Sequence, residues 1–322
     1  MKQPVTTWDL YYISYDEPQK EELWANLQQL APWAKRVDGV KGFDTAHKTC
    51  ANDSETDRFI TVDGDNLVDP VFFDLELEIP DRLKDATLSW GARNSINGLC
   101  YGNGGLKLWT REFVLNMKTH ENATRAEEKV DFCWDDRYVQ LNGVYSETLP
   151  NGSPFQAFRA GFREGVKMTL DRGTKAGDGT IAKYLHDKNY RRLLIWASIG
   201  ADVENGLWAI YGTRLGIYSA NIDSNFDISK IADYDWFRTY FNEEVAPALV
   251  GDGAERCRRT GLKWDHQLLQ AASTRLLSPL YKDLGLKIAD VNPQQSEFFK
   301  ATYEPPRRTS NPIVTEMEAD RA

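Results

Sequence analysis

The chain has 322 residues, of which 41% are hydrophobic and 12% aromatic, and its formal net charge is -9 with a pI of about 5.1. This composition excludes general disorder and provides enough apolar residues for one large α/β domain or two smaller ones. An acidic chain has no broad attraction to nucleic acid or anionic membranes, so DNA contact would require a local basic patch. The four cysteines, Cys50, Cys100, Cys133 and Cys257, form no CxxC pair, and no apolar stretch is long enough to span a bilayer. We therefore expect reduced thiols in a soluble, cytoplasmic protein without a membrane partner.

The first third of the chain predicts alternating strands and helices. Residues 8–15 have the composition of a strand, residues 16–18 open a helix that ends before Pro32, and residues 34–40 read as a second short strand. Residues 43–51 predict a second helix, and residues 58–62 predict a third strand without internal charge that is buried on both faces of a parallel sheet. Strand–helix–strand–helix–strand with short connections is half of a doubly wound sheet, so the fold class is α/β.

Two carboxylates, Asp63 and Asp65, follow the third predicted strand and are separated by Gly64. A strand sends the side chains at i and i+2 to the same side, and glycine permits a sharp turn between them. Open α/β sheets bind ligands beyond the carboxyl ends of their strands, and paired carboxylates suit Mg²⁺ or Mn²⁺. The sequence therefore predicts a metal site here. The alternative is an ordinary turn, because Asp, Gly and Asn are common in turns for conformational reasons.

A second candidate region follows a predicted strand at residues 88–94. Residues 101–105 contain three glycines, and residues 106–109 predict another strand. Gly104 and Gly105 would let main-chain N–H groups approach a ligand closely, and Arg93 or Lys107 could neutralise a phosphate. The alternative is a hairpin with a glycine turn, in which Lys107 is an exposed strand residue.

Residues 118–152 are polar, contain Asp135 and Asp136, and end in the loop signal of residues 150–152 (PNG). Ser153 and Pro154 then predict the start of a helix with an aromatic core stripe. Its other face carries Arg159 and Arg163, four residues apart, which could bind a phosphate or an acceptor, and Glu164, which could act as a base. The alternative is a solvated face with Arg–Glu pairing.

The C-terminal third predicts mostly helices. Residues 191–200 read as a strand or the start of a buried helix, and the glycines at 206, 212 and 216 predict close packing of a helix against a neighbour. Residues 233–250 have helical spacing, and residues 301–322 predict a flexible tail. The densest basic cluster is the candidate for phosphate-backbone contact, with a charged helix end as the alternative; it consists of Arg256, Arg258 and Arg259, near Lys263.

These motifs, in this order, resemble those of GT-A fold glycosyltransferases, and in detail those of a group encoded by large tailed bacteriophages. The resemblance covers about residues 8 to 220. It rests on residues 8–18 (WDLYYISYDEP), 34–37 (AKRV), 39–42 (GVKG), 46–47 (AH), 62–65 (VDGD), 93–98 (RNSING) and 101–108 (YGNGGLKL).

The resemblance implies a Rossmann-like mixed sheet flanked by helices, with a mainly helical C-terminal part. Residues 1–117 would form the nucleotide-sugar half, residues 118–300 the acceptor half and residues 301–322 the tail. It implies transfer of a sugar from a nucleotide-sugar, a UDP-sugar first of all, with Mn²⁺ or Mg²⁺ held by Asp63 and Asp65. The remaining implied donor-binding residues are Tyr15, Asp16, Lys41, His47, Arg93, Asn94, Gly104, Gly105 and Lys107.

Members of that group are linked to glycosylation of 5-hydroxymethylcytosine in phage DNA, so modified double-stranded DNA is the implied acceptor, in the host cytoplasm. Glu164 and Asp136 are the candidate catalytic bases, and the candidate acceptor-binding residues are Arg159, Arg163, Arg256, Arg258 and Arg259. GT-A enzymes often take a third metal ligand from a late histidine, but His186 and His266 lie in no such context and are expected to be structural.

Three alternatives remain at this point. The acceptor could be a surface glycan precursor, which suits the acidic pI. Residues 59–68 also approach the aspartyl-nucleophile motif of haloacid-dehalogenase phosphatases, although that motif usually lies on the first strand and Leu67 stands where Thr or Val is expected. The third alternative is a non-catalytic nucleotide-binding or phage structural module.

Overall fold

The computed structural model describes residues 2–101, 104–122, 137–171, 174–175, 181–249, 264–304 and 315–318. These residues form two units, each with its own internal packing. The first unit comprises described residues 2–122, 137–149, 304 and 315–318, and the second comprises described residues 150–303. The first unit extends past residue 117 because a long strand at Tyr138–Thr148 belongs to its sheet. No strand was predicted within the polar region of residues 118–152.

The first unit is an α/β structure, as predicted. Its strands are β1 (Lys2–Pro4), β2 (Asp9–Ser14), β3 (Lys35–Asp38), β4 (Arg58–Asp63), β5 (Asn66–Val68), β6 (Leu75–Glu78), β7 (Thr87–Asn94), β8 (Leu106–Thr110), β9 (Tyr138–Thr148) and the segment Thr315–Glu318. Seven of them form the main sheet, in the order β3-β2-β4-β8-β7-β9-β5, and β1, β6 and residues 315–318 form a smaller antiparallel sheet. Its α-helices are α1 (Lys20–Leu30), α2 (Phe43–Asp53) and α3 (Arg111–Asn116).

The predicted strand–helix–strand–helix–strand order is confirmed at the start of the chain. Strands β3, β2 and β4 are parallel neighbours, joined through α1 and α2. One face packs residues such as Tyr12 and Val62 into a core with Leu27 of α1, and the other packs Tyr11 and Phe59 into a second core. Because both faces are covered, these strands read as nearly continuous apolar runs.

The main sheet is mixed, as the resemblance implied, and β4 has a parallel neighbour on one side only. Strand β4 runs parallel to β2 on one side and antiparallel to β8 on the other. The chain then returns antiparallel from β7 to β8, so the predicted hairpin-like pairing of these two strands is confirmed. Lys107, in contrast, is almost fully buried and is not an exposed strand residue.

The sheet curls between β4 and β5. These two strands are separated along the chain only by Gly64 and Asp65, yet β5 pairs with β9 at the far end of the strand order. A two-residue connection can reach the last strand only if β4, β8, β7, β9 and β5 bend round toward one another. The Asp-Gly-Asp turn therefore lies where the curled part of the sheet returns to β4.

The regular secondary structure among the described residues of the second unit is helical, apart from a two-residue pairing between Leu170–Asp171 and Thr174–Lys175. Residues 191–200, predicted as a strand or the start of a buried helix, are the end of a helix that begins at Asp187 and the residues that follow it. The α-helices and the one π-helical turn are α4 (Pro154–Lys167), α5 (Asp187–Trp196), α6 (Gly206–Asn221), α7 (Tyr234–Tyr240), Phe241–Val245 (π-helix), Ala246–Ala248, His266–Arg275, Leu277–Leu284 and Pro293–Thr302. Ser153 caps α4 as predicted, since its side chain accepts a hydrogen bond from the Gln156 N–H.

A seam of glycines joins α4 to α6, which confirms the predicted close packing. A methyl group on Gly165 would overlap the main-chain oxygen of Thr213, and one on Gly216 would overlap that of Phe162. Since only hydrogen fits at these positions, the two helix backbones approach each other directly. Phe158 and Phe162 fill the flanking core and make ring contacts with Phe241 and Phe237 respectively.

The C-terminal tail contains one described element. Residues 315–318 pair antiparallel with β6, with Glu316 opposite Leu77. These four residues differ from the expectation of a wholly unstructured tail. No helix among the described residues is long and apolar enough to cross a membrane.

Candidate functional site at the carboxyl end of strand β4

The candidate site begins where β4 ends. Asp63 is the last residue of β4, Gly64 and Asp65 form the turn, and Asn66 begins β5. The side chains of Asp63 and Asp65 are both half-buried, whereas the rest of β4 is buried. The Asp63 N–H donates to the Gly105 carbonyl at 3.0 Å, which ties the end of β4 to the start of β8. Two carboxylates thus reach solvent at the carboxyl end of a central strand.

Asp63 is paired with a buried lysine on the neighbouring strand. Lys107 Nζ donates to Asp63 Oδ2 at 2.9 Å; the lysine side chain is 3% exposed and the aspartate side chain 37%. An ammonium group this deeply buried requires a charged or strongly polar partner. Asp63 therefore neutralises Lys107 in addition to any role toward a ligand, a pairing that no local sequence signal indicates.

Asp65 is held by groups on the other side of the curl. Its Oδ1 accepts from the Asn66 amide at 2.8 Å, and its Oδ2 lies 3.4 Å from the Thr148 hydroxyl on β9. Asn66 is itself buried, and its amide oxygen accepts from the Ser146 hydroxyl at 3.0 Å. The orientation of Asp65 therefore depends on β9, the strand that the sequence did not predict.

The glycines around the site have packing roles. A methyl group on Gly104 would lie 2.6 Å from the Trp90 carbonyl oxygen on β7, and one on Gly105 would overlap the Asn66 side-chain amide. The main-chain N–H of Gly104 already donates to that Trp90 carbonyl at 2.9 Å. These two predicted donor-binding residues thus border the site, and the absence of their side chains is explained by their contacts within the fold.

Glu17 is a third carboxylate at this edge that the sequence reasoning missed. A methyl group on Gly64 would lie 2.8 Å from Glu17 Oε2, so the glutamate packs directly against the turn. Burial raises the pKa of the Glu17 carboxyl, the Tyr15 N–H that donates to it at 2.7 Å opposes the rise, and the Asp63 charge adds to it. The sequence did hold a signal for Glu17: it is an acid that closely follows β2, and the ends of β2 and β4 lie at the same edge of the sheet because these strands are parallel neighbours.

His47 lies in the core on the side of the sheet that α2 covers. Its Nδ1 is 2.9 Å from the Phe43 carbonyl, its ring stacks on Phe43, and its Nε2 is buried with no hydrogen-bond partner among the described residues. Burial lowers the pKa of His47 to about 4, although the Asp63 carboxylate opposes this. The imidazole is therefore neutral at pH 7. It touches Trp109 of β8 edge-on, and so belongs to the packing behind the site.

The other predicted donor-binding residues divide into two groups. Tyr15, Asp16, Lys41 and Arg93 are exposed and so accessible to a ligand. Asn94 is buried, and its side-chain oxygen accepts from the Ile96 N–H at 3.0 Å, which shapes the loop after β7. Asn94 therefore has a structural role.

The predicted acceptor residues that can be described belong to the second unit. Glu164 is half-buried, and its Oε1 lies 3.9 Å from Lys167 Nζ. The Arg159 guanidinium lies over the Tyr234 ring, 4.3 Å from its centroid, and the Nε of Arg163 is buried without a hydrogen-bond partner among the described residues. The remaining predicted residues, Asp136, Arg256, Arg258 and Arg259, lie outside the described residues.

The donor set at the β4 turn fits a hard divalent cation. Asp63 and Asp65 offer carboxylate oxygens, which Mg²⁺ and Mn²⁺ prefer, and these ions commonly take one or two protein carboxylates and complete their shell with water and phosphate. Among the described residues no three His, Cys, Asp or Glu side chains form a ready-made metal cluster. Asp63 and Asp65 are therefore the two residues of the turn that could hold such a cation.

A polar cleft of about 980 Å³ lies at the opposite end of the same strands. Its lining includes Asp57 and Arg58 around the start of β4, and Thr110 and Arg111 around the end of β8. The Arg58 guanidinium donates to main-chain carbonyls of residues 83, 84 and 86. Acidic and basic side chains are mixed around this cleft, so its charge selects no ligand class.

Comparison with known proteins adds no family assignment. No protein-family model matches the chain, and no curated protein sequence matches it. The functional conclusion therefore depends on the site and on the resemblance of its motifs.

Proposed function

We propose that this protein is a metal-dependent GT-A glycosyltransferase that moves a sugar from a nucleoside diphosphate-sugar to an acceptor hydroxyl. The observation that carries this proposal is the pair of half-buried carboxylates, Asp63 and Asp65, at the carboxyl end of β4. That edge is where α/β sheets of this kind bind nucleotides. The βαβαβ unit that ends with β4 supports the same conclusion.

In the proposed transfer, the bond between the anomeric carbon and the diphosphate oxygen breaks, and its electron pair leaves with the nucleoside diphosphate. The acceptor oxygen forms the new glycosidic bond and loses its proton. A divalent cation, when bound, supplies charge neutralisation for the departing diphosphate. Asp63 and Asp65 are the residues that would hold it, and Lys107 provides a fixed positive charge beside them.

The acceptor proposed from the resemblance is 5-hydroxymethylcytosine, or a sugar on it, in phage DNA. Arg159 and Arg163 of α4 would contact its phosphates, because guanidinium groups pair well with phosphate oxygens. Glu164 is the described candidate for the base that removes the acceptor proton in an inverting reaction. Asp136 is the other candidate.

The test is a panel of nucleotide-sugars, UDP-sugars first, incubated with the full chain and Mn²⁺ or Mg²⁺, with and without hydroxymethylcytosine DNA. We expect metal-dependent release of nucleoside diphosphate from one donor, and sugar on the DNA. Asp63→Ala and Asp65→Ala should each abolish turnover. Asp57→Ala is the matched control, because Asp57 is an exposed acid just before the other end of β4. Wild-type rates in both site variants would refute the metal site.

The same panel separates the alternatives. Release of phosphate from a simple phosphate ester, with no sugar donor present, would favour the phosphatase, because the sequence around Asp63 and Asp65 also resembles the aspartyl-nucleophile motif of that family. Transfer to a glycan precursor in preference to DNA would change the acceptor while leaving the donor site intact. Failure to bind any donor in the presence of metal would favour a non-catalytic module.

A further inference from the structure

Lys107 places a positive charge in the interior of the first unit, where charged side chains are rare. Its Cα lies opposite Thr61 in the β4–β8 register, and its side chain reaches along β4 to the terminal Asp63. The side chain is buried, while the carboxylate it binds is partly open to solvent. The ammonium group therefore sits behind the carboxylate, on the protein side of the proposed cation position.

This arrangement changes the charge that a cation would meet. Lys107 offsets one of the two aspartate charges at the turn, against which the Glu17 carboxyl also packs. Coulomb repulsion between a buried ammonium and a nearby divalent cation is weakly screened, because protein atoms and not water surround the lysine. A cation alone should therefore bind more weakly than it would without the lysine. A diphosphate, in contrast, is attracted both by the ammonium group and by a bound cation.

We propose that Lys107 makes the site favour the nucleoside diphosphate over a free cation: its charge weakens the binding of a divalent cation alone and strengthens the binding of the diphosphate, so the cation enters mainly with the donor. This inference rests on the proposed function, because it takes Asp63 and Asp65 as the cation ligands. Lys107 acts here as a positioning residue through Asp63. The benefit to the reaction is that the site fills with a productive cation–diphosphate pair.

The test measures Mn²⁺ affinity of the full chain by calorimetry or by the loss of the free-ion paramagnetic resonance signal, with and without UDP. In the wild-type protein UDP should tighten Mn²⁺ binding. In Lys107→Met, Mn²⁺ alone should bind about tenfold more tightly or better. UDP titrated without metal should bind about tenfold more weakly in Lys107→Met, because its phosphates lose the attraction of the buried ammonium group.

The control is Lys48→Met, which removes another paired lysine of the same unit: Lys48 Nζ binds Asp44 at 2.8 Å on the surface of α2. It should leave both affinities unchanged. Lys107→Gln keeps a hydrogen-bond donor beside Asp63 without the charge, and it provides the same measurement should Lys107→Met fail to fold. Circular dichroism identifies the folded variants.

The outcomes separate the inference from the proposed function. Equal or weaker Mn²⁺ affinity, or unchanged UDP affinity, in folded Lys107 variants overturns the role proposed for Lys107, while wild-type Mn²⁺ binding that is lost in Asp63→Ala still supports the metal site. If the wild-type protein binds no Mn²⁺ with or without UDP, the metal site and the role of Lys107 both fail.

Discussion

Replacing Gly105 by alanine tests whether the packing around the β4 turn positions the candidate site. The new methyl group would overlap the Asn66 side chain, and even the amide oxygen would lie only 2.5 Å away. Asn66 cannot swing aside easily, because it is buried and its amide bonds both Ser146 and Asp65. The methyl group therefore crowds the strand and also displaces the Asn66 amide from these two hydrogen bonds.

The magnitude follows from those two contributions. Two hydrogen bonds contribute about 1 kcal/mol each, and overpacking of a well-filled site destabilises by about 1–3 kcal/mol. We therefore expect Gly105→Ala to lower the free energy of unfolding of the first unit by about 3–5 kcal/mol. We also expect weaker Mn²⁺ binding in the presence of UDP, because Asp65 loses the amide that orients it.

The assay is urea unfolding followed by tryptophan fluorescence, together with the Mn²⁺ titration. Gly91→Ala on β7 is the matched control, since its methyl group would lie 3.3 Å from a flexible valine side chain and requires only a small adjustment. A double-mutant cycle with Asn66→Ala isolates the overlap, because Gly105→Ala should be nearly neutral once the Asn66 side chain is gone. Wild-type stability and Mn²⁺ affinity in Gly105→Ala would show that the turn does not depend on this packing.

Two further predictions concern the second unit and the buried histidine. Gly165→Ala in α4 should destabilise the second unit by about 1–3 kcal/mol despite the better helix propensity of alanine, because its methyl group overlaps the backbone of α6. Calorimetric melting measures this, with Ala160→Gly on the same helix as the control. An unchanged melting temperature in Gly165→Ala would contradict the close packing of α4 on α6. The lowered pKa of His47 means that, as pH falls, the unfolded chain takes up a proton at this histidine before the folded chain does. The stability that the neutral His47 contributes to the folded state is therefore fully present above pH 6.5 and is lost as pH falls toward 4, a change of about 3 kcal/mol in the free energy of unfolding. Unfolding free energies between pH 7 and 4 should therefore fall less steeply in His47→Gln than in the wild type, whereas His266→Gln, at an exposed helix start, should keep the wild-type slope; equal slopes in all three would contradict the assignment.

Local patterns were sufficient for the elements that short-range physics determines. The apolar run before Asp63 predicted a buried strand, and Ser153-Pro154 predicted a helix start. The spaced glycines of α6 predicted a close helix contact, since a missing side chain is visible in the sequence even when the facing backbone is not. Strand β9 was missed because its apolar and polar residues alternate only weakly and few of its residues are fully buried.

The sequence alone determined the order of the first strands and helices and put two carboxylates at the end of β4, because hydrophobic period and turn chemistry act over a few residues. Only the tertiary structure decided what surrounds those carboxylates. Lys107 reaches Asp63 across 44 residues, Glu17 packs against Gly64 from the end of another strand, and Thr148 contacts Asp65 across the curl. These partners meet only when the sheet assembles, since a contact between distant residues has no local periodicity to reveal it.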